Sequence, residues 1–131
     1  MWGGVKLTFV NYWGRKYAHE KDVFWRDADI FVFPTLNEAF GLVLLEAMEY
    51  AIPCVGTNEG GINDIIDNGQ TGFITQKGDV HALATAIEKL IIDSSLCETM
   101  GQAGRLKFLK KYTENTFERT MLECLKNVIA N

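Results

Sequence analysis

Short apolar segments alternate with amphipathic segments over the first two thirds of the chain. The apolar segment at 29–35 runs almost without interruption to a proline, which is typical of a strand buried on both faces of a sheet. The amphipathic segments carry apolar residues at helical spacing. Strands that alternate with helices through short links predict βαβ units and a mainly parallel sheet. The expected strands span 5–10, 29–35, 53–56 and 71–75, and the expected helices span 20–28, 41–50 and 61–67.

The last third of the chain predicts helices only. Apolar residues between 80 and 91 mark one face of a helix, and Asp79 is well suited to cap its N-terminus. Ser95 and Glu98 stand three residues apart, which is typical of a capping box at the start of a second helix. A third helix is expected from about residue 113. The apolar stripe along this last helix comprises Phe117, Met121, Leu125 and Val128.

These elements predict one α/β domain that ends in helices. A chain of 131 residues has room for one domain and little room for two. We expect the α/β part over about 5–92 and a helical tail over about 94–131. The tail would cover one flank of the sheet or reach across to another surface.

Composition and charge narrow the class of protein. The 13 basic and 17 acidic residues give a net charge of -4. This acidic balance argues against a nucleic-acid-binding protein, because such binding requires clustered lysines and arginines that meet phosphates. No apolar stretch approaches the roughly 20 residues that cross a bilayer, and the first four residues lack the features of a signal peptide. Cys54, Cys97 and Cys124 are too widely spaced for a Cys-x-x-Cys site and fit reduced thiols. We therefore expect a soluble cytoplasmic protein that binds no nucleic acid.

The most informative loop follows the predicted strand at 29–35 and begins at Thr35. In an open parallel sheet, ligands bind beyond the carboxyl ends of the strands, where such loops lie. Two acids, Glu38 and Glu46, are separated here by the seven uncharged residues 39–45. Glu38 would lie in the loop itself, and Glu46 would lie in the first turns of the helix that follows. The two carboxylates are therefore candidates for ligand contacts.

The start of that helix is a candidate anion site between the two acids. The backbone N–H groups of Gly41, Leu42 and Val43 are expected to form a free helix start, where the helix dipole favours negative charge. Carboxylates accept hydrogen bonds well from vicinal hydroxyls. The order carboxylate, anion site, carboxylate is therefore complementary to a nucleotide-diphosphate-sugar, with Glu38 suited to a hexose and Glu46 suited to a ribose.

A second interpretation needs no ligand. Glu46, Glu49 and Tyr50 lie three and four residues apart, so they would form the solvated face of an amphipathic helix. Glu38 would then be an ordinary loop acid near a helix start. Spacing alone favours this second interpretation, because paired acids at such intervals are common by chance.

Five short motifs follow one another in a fixed order over residues 28–73. They read Ala-Asp-Ile-Phe-Val-Phe-Pro-Thr at 28–35, Glu-Ala-Phe-Gly-Leu-Val-Leu-Leu-Glu-Ala-Met at 38–48, Ile-Pro-Cys-Val at 52–55, Gly-Gly-Ile at 60–62 and Asn-Gly-Gln-Thr-Gly-Phe at 68–73. In this order they resemble the nucleotide-binding, C-terminal half of GT-B glycosyltransferases, in the group 1 family of retaining enzymes that carry an E-x7-E motif. The resemblance implies a Rossmann-like parallel sheet with flanking helices and a helical C-terminal tail.

The resemblance also implies roles for particular residues. Glu38 matches the first motif acid, which contacts the donor sugar and is tied to catalysis, and Glu46 matches the second, which holds the ribose hydroxyls. Arg15 falls in a loop that lies near the nucleotide base in the family, although a solvated basic loop is the alternative. Thr35 is a further candidate donor contact. The backbone segment that cradles the diphosphate and sugar corresponds to Phe40, Gly41, Leu42 and Val43.

Other positions are open to two interpretations or depart from the family. Gly60 and Gly61 resemble a glycine pair that lets the next helix start near the site, but they would also suit a plain turn. Trp13 and Trp25 could stack on a base, and core packing is the interpretation we favour for both. Ala51 replaces the usual glycine, which would cost about 1 kcal/mol if this helix end is left-handed.

The resemblance implies the donor-binding domain of an enzyme that moves a hexose from a nucleotide-diphosphate-sugar to an acceptor hydroxyl with retention. No metal or other cofactor is expected. The acceptor, a sugar or a lipid-linked sugar, would bind through an N-terminal domain that this chain lacks, so the isolated chain should transfer nothing. The full-length enzyme would work in the cytoplasm, including the inner face of the membrane. A nucleotide-sugar epimerase-like domain and a non-catalytic interaction domain remain as alternatives.

Overall fold

The computed structural model describes residues 8–17 and 19–130. Within these ranges helices and strands alternate as far as the third strand, and three helices follow. The predicted α/β architecture with a helical tail is therefore confirmed. The elements are α1 (His19–Asp27), β1 (Phe31–Phe33), α2 (Leu42–Glu49), β2 (Cys54–Thr57), α3 (Ile62–Ile65), β3 (Gly72–Thr75), α4 (Val80–Ile92), α5 (Ser94–Lys111) and α6 (Glu114–Ala130).

The three strands form one parallel sheet in the order β1-β2-β3. In the centre, Val55 of β2 is in register with Val32 on one side and Phe73 on the other. Because successive side chains of a strand face opposite sides, Cys54 packs with α2 and α3 while Val55 packs with α4 and α5. Burial raises the pKa of the Cys54 thiol to about 12. The core therefore lies on both faces of β2.

The first predicted strands differ from what the structure shows. The strand expected at 29–35 is shorter, and its three residues are only half-buried, because β1 is the edge of the sheet within the described ranges. Its side chains pack against the core on both faces of the sheet, as expected, but they are less completely buried than the expectation required. Of the strand expected at 5–10, residues 5–7 lie outside the described ranges. Thr8 and Phe9 form a turn instead, and both are exposed.

The first helix of the tail belongs to the core. α5 packs against α2, α4 and β3, and it buries Met100 together with two glycines. A Cβ atom at Gly101 would overlap the carbonyl oxygen of Ala51, and one at Gly104 would lie 3.5 Å from the Met48 side chain. Gly101 therefore allows the α5 backbone to approach the end of α2 closely, whereas a Cβ atom at Gly104 would make only an ordinary van der Waals contact.

Two aspartates cap the helices that follow the sheet. Asp79 accepts a hydrogen bond from the amide of Ala82, 2.9 Å away, as predicted for α4. For α5, the cap is Asp93, whose Oδ1 accepts from the amide of Leu96 at 3.0 Å. The capping box expected at Ser95 is therefore wrong, since the helix already begins at Ser94 and Ser95 lies inside its first turn.

The last helix leaves its apolar stripe exposed. α6 buries none of its residues, and Phe117, Met121, Leu125 and Val128 are between 45% and 73% exposed. None of the helices that the structure describes is both long and apolar enough to cross a membrane.

Candidate functional site

Glu38 lies in the loop between β1 and α2 and caps the start of α2. Its Oε1 accepts hydrogen bonds from the amides of Gly41 at 3.0 Å and Phe40 at 3.2 Å. These bonds, with that of Gly41 the largest contribution, hold the pKa of the Glu38 carboxyl below its usual range. Glu38 is therefore ionised at neutral pH and has a defined orientation at the helix N-terminus.

The predicted anion site at this helix start is smaller than expected. The Gly41 amide was expected to be free, but it donates to the carboxylate of Glu38, which lies three residues before this N-cap residue of α2. Within 8–17 and 19–130, no group accepts a hydrogen bond from the amides of Leu42 and Val43. Two backbone donors thus remain at the N-terminus of α2.

Gly60 and Gly61 pack against the backbone of the loop that carries Glu38. Gly61 donates its amide to the carbonyl of Ala39 at 2.9 Å, and a Cβ there would lie only 2.8 Å from the carbonyl oxygen of Phe40. A Cβ at Gly60 would overlap the carbonyl oxygen of Glu38. A plain turn would tolerate side chains, whereas this backbone contact does not. The glycine pair therefore determines where the Glu38 loop lies.

Thr35 shapes the beginning of the same loop. Its hydroxyl accepts from the Asn37 amide at 3.3 Å and donates to the Asn37 carbonyl at 3.1 Å. Its own carbonyl accepts from the Thr57 hydroxyl at 2.6 Å. Thr35 is half-buried, and its hydroxyl already has partners within the loop.

Glu46 lies in the second turn of α2, where side chains of α1 hold it. Lys21 places its Nζ 3.3 Å from Oε1 and 3.2 Å from Oε2, and Trp25 donates its indole N–H to Oε2 at 3.3 Å. Glu46 is half-buried, whereas Glu49, one turn later, is exposed. Among the residues that the structure describes, the carboxylate of Glu46 therefore has defined partners and that of Glu49 has none.

The contact between α1 and α2 also includes an aromatic cluster. The Trp25 ring meets Phe31 edge-on with centroids 5.1 Å apart, and it stacks on Tyr50 at 6.5 Å. The Tyr50 hydroxyl donates to Asp22, and this bond lowers the pKa of Asp22 and raises the pKa of Tyr50. The cluster attaches α1, which buries none of its own residues, to the core.

The sequence interpretation did not identify Lys21 as part of the site, and for Trp25 it favoured core packing over stacking on a base. Trp25 does pack against the core cluster, but it also contacts a candidate site residue. The available signal was spacing: Lys21 and Trp25 lie four residues apart, so they share one face of a helix. That signal does not say which acid the face would meet.

A groove of about 400 Å³ lies beside Glu46. Trp13 borders it, is 61% exposed and meets Phe24 edge-on at 5.4 Å, so the expectation of core packing is wrong for Trp13. Arg15 is exposed and does not line the groove, but its neighbours on either side do. The lining residues that matter here are Gly14, Lys16, Lys21, Trp25, Val43 and Glu46.

The chain matches the family model described as glycosyl transferases group 1 over residues 7–107. It belongs to this family. All candidate site residues of this group 1 chain lie within the matched range, whereas α6 lies beyond it.

Named relatives and a solved structure agree with the assignment. The chain is 44% identical over 98 residues to the capsular polysaccharide biosynthesis glycosyltransferase CapM of Staphylococcus aureus, covering 75% of this chain and 26% of CapM. It is 43% identical over 114 residues to human alpha-1,3/1,6-mannosyltransferase ALG2, covering 87% of this chain and 26% of ALG2. The chain thus spans about a quarter of the length of these two relatives.

The structural comparison identifies the matching part of the family fold. The C-terminal domain of a group 1 family glycosyltransferase, LpcC from Francisella tularensis, superposes with a TM-score of 0.71 at 27% identity. The match covers 80% of this chain and 53% of the LpcC chain. The group 1 chain therefore has the Rossmann-like fold expected for the C-terminal half of a GT-B glycosyltransferase.

Proposed function

We propose that this chain is the donor-binding domain of a glycosyltransferase that transfers a hexose from a nucleotide-diphosphate-sugar to an acceptor hydroxyl with retention. One observation carries the proposal: the Glu46 carboxylate borders a groove, and the helix that bears it begins with two amides that remain available to a ligand. A carboxylate that can accept hydrogen bonds from ligand hydroxyls and an anion site thus lie on one short helix. Family membership adds weight, since the relatives named above are glycosyltransferases.

The nucleoside would occupy the groove beside Glu46. Its volume of about 400 Å³ is within the range of small-molecule sites. Glu46 would accept hydrogen bonds from the two vicinal ribose hydroxyls, because an ionised carboxylate is a strong acceptor with two oxygens. The loop that carries Gly14 and Lys16 forms another wall, where the base would lie, with Arg15 close by in the chain.

The diphosphate would lie at the N-terminus of α2, against the amides of Leu42 and Val43. A helix start supplies the equivalent of roughly half a positive charge, which is less than a diphosphate needs for full compensation. We therefore expect this chain to bind donors weakly, in the millimolar range. The absence of a Cβ at Gly41 and its left-handed φ of 68° let the chain turn into the helix close to the bound anion.

The donor sugar would contact Glu38, which we assign as the catalytic carboxylate. Both of its backbone hydrogen bonds end on Oε1, so we expect Oε2 to accept from a sugar hydroxyl. Since this carboxylate is ionised and already oriented, no reorganisation is needed when positive charge develops on the sugar. Phe40, which is exposed beside it, would contribute its backbone to the same subsite.

The acceptor hydroxyl would be bound by another part of the enzyme. The chain spans about a quarter of its named relatives, and we place the groups that bind a sugar or lipid-linked acceptor in an N-terminal domain. The 131-residue chain alone should therefore bind a donor without transferring its sugar. Measurable transfer by this chain would contradict that part of the proposal.

Calorimetry tests the donor site directly. The chain is titrated with uridine-, guanosine- and adenosine-diphosphate sugars at millimolar concentration, and the titration is repeated with Glu46→Ala and with the control Glu49→Ala. We expect at least one donor to bind, with Glu46→Ala weakening it about tenfold or more through the loss of charge-assisted hydrogen bonds. Glu49→Ala should leave the affinity unchanged. If no donor binds, or if both variants behave alike, the site assignment is wrong.

A further inference from the structure

The indole N–H of Trp25 is a fixed hydrogen-bond donor to Glu46. The ring is held between Phe31 and Tyr50, with centroids 5.1 Å and 6.5 Å away. Two χ angles determine the direction of this N–H, and both are constrained by the packing of the ring. Trp25 therefore fixes the position of one oxygen, Oε2, to which it donates at 3.3 Å.

The carboxylate of Glu46 has too few open positions for a vicinal diol in its present state. Its two oxygens offer about four lone-pair sites. Lys21 takes one on each oxygen and Trp25 takes one on Oε2. With respect to residues 8–17 and 19–130, one site is left, whereas two ribose hydroxyls donate two hydrogen bonds. One of the two protein side chains must therefore give way when the ligand binds.

Lys21 is the partner that can leave at low cost. The side chain of Lys21 is 45% exposed and that of Glu46 is 40% exposed. If the ion pair breaks, water can therefore hydrate both charged groups. Exposed ion pairs of this kind contribute little to stability. Trp25, by contrast, would have to abandon its packing on two aromatic rings. Displacement of Lys21 opens one site on each oxygen, in addition to the site already open.

We propose that Trp25 is a positioning residue of the nucleoside subsite, which holds the Glu46 carboxylate for the two ribose hydroxyls while Lys21 is the donor that the ligand displaces. This inference rests on the proposed function. The new element is that the indole N–H of Trp25 helps the site distinguish ribose from deoxyribose. Trp25 lies on α1, outside the segment that carries Glu38 and Glu46.

The test compares nucleoside diphosphates with and without ribose hydroxyls. The chain is titrated with uridine, guanosine and adenosine diphosphates and with their 2′,3′-dideoxy counterparts. The wild type should bind the best ribonucleotide about tenfold more tightly than its dideoxy form, as the loss of charge-assisted hydrogen bonds implies. Trp25→Phe keeps the aromatic packing but removes the N–H, and it should reduce this ratio to about threefold.

Two variants separate positioning from general effects on the groove. Trp13→Phe changes another tryptophan of the same groove, one that has no hydrogen bond to Glu46. It should affect the ribonucleotide and the dideoxy form equally and leave the ratio unchanged. Lys21→Met should leave the ratio as high as in the wild type or raise it. A lowered ratio in either variant would contradict the assignment.

A measurement on the wild type covers the case in which Trp25→Phe does not fold. The Trp25 indole N–H signal, assigned by NMR, should stay protected from solvent exchange when the ribonucleotide is bound. Loss of protection would mean that Trp25, and not Lys21, is displaced, and the inference would be wrong.

The two proposals fail in different ways. If no nucleoside diphosphate binds the wild type, or if ribose hydroxyls make no difference, the function proposed for Glu46 falls, and the inference falls with it. If the wild type prefers the ribonucleotide and Trp25→Phe keeps the full ratio, only the role of Trp25 is wrong.

Discussion

The variant Ala51→Gly should be more stable than the wild type, because Ala51 has a backbone conformation that suits glycine. It follows α2 with a φ of 58°, the one positive φ of a non-glycine residue in the described ranges. Its amide donates to the Met48 carbonyl at 3.0 Å, and the Ile52 amide donates to the Ala47 carbonyl at 3.1 Å. This pair of bonds is the Schellman motif, in which the left-handed position is usually glycine.

The size of the effect follows from two opposing contributions. The left-handed conformation costs an L-residue roughly 1–2 kcal/mol. Glycine loses roughly 0.5–1 kcal/mol more conformational entropy than alanine on folding. The packing of α5 is retained, since Gly101 approaches the carbonyl oxygen of Ala51 and not its side chain. We expect a net gain of about 0.5–1 kcal/mol, which for a chain of this size raises Tm by about 2–4 °C.

Thermal and urea unfolding followed by circular dichroism measure this difference, and Ala84→Gly is the matched control. Ala84 is exposed in the middle of α4, where the same substitution should lower the free energy of unfolding by about 1 kcal/mol. The two variants should therefore shift stability in opposite directions. If Ala51→Gly is no more stable than the wild type while Ala84→Gly loses the expected amount, the left-handed position is not strained and the reasoning is refuted.

Two further predictions concern side chains that hold loops. Lys107 is nearly buried and donates hydrogen bonds to the carbonyls of Asp64 and Ile65. Lys107→Met should therefore lower the free energy of unfolding, measured in urea, by about 2 kcal/mol. The control Lys110→Met replaces an exposed lysine and should change this free energy by less than about 0.5 kcal/mol. Glu38 has a lowered pKa in the folded chain, so its stabilising contribution is present above roughly pH 4.3 and is lost as the pH falls through the folded pKa. The stability of the wild type relative to Glu38→Gln should therefore decrease between pH 6 and pH 3 in urea titrations, and a constant difference would contradict the role of the Glu38 cap.

The order of the elements from α1 onward and the cap of α4 were predictable because both depend on neighbours in the sequence. Uninterrupted apolar runs and helical spacing locate strands and helices within a few residues, since each pattern repeats over a single element. Asp79 caps α4 through an amide three residues away. Asp93 was missed in favour of Ser95 because both residue types cap helices and the pattern does not locate the first turn.

Long-range contacts were not predictable from these patterns. Nothing in the local sequence shows that Gly101 meets the backbone of Ala51, because the two lie fifty residues apart in the chain. The exposure of Trp13 and the partial burial of Trp25 depend in the same way on which surface each tryptophan reaches. An aromatic residue by itself predicts burial and not the partner of its polar atom.

The two acids of the candidate site differ in how they are held, and neither arrangement was predicted from the sequence, although that of Glu38 depends only on neighbouring residues. Glu38 is oriented by amides two and three residues away, within its own loop. Glu46 is oriented by Lys21 and Trp25, which precede it by more than twenty residues and reach it only because α1 docks on α2. A change in α1 should therefore alter what Glu46 binds while leaving Glu38 unaffected.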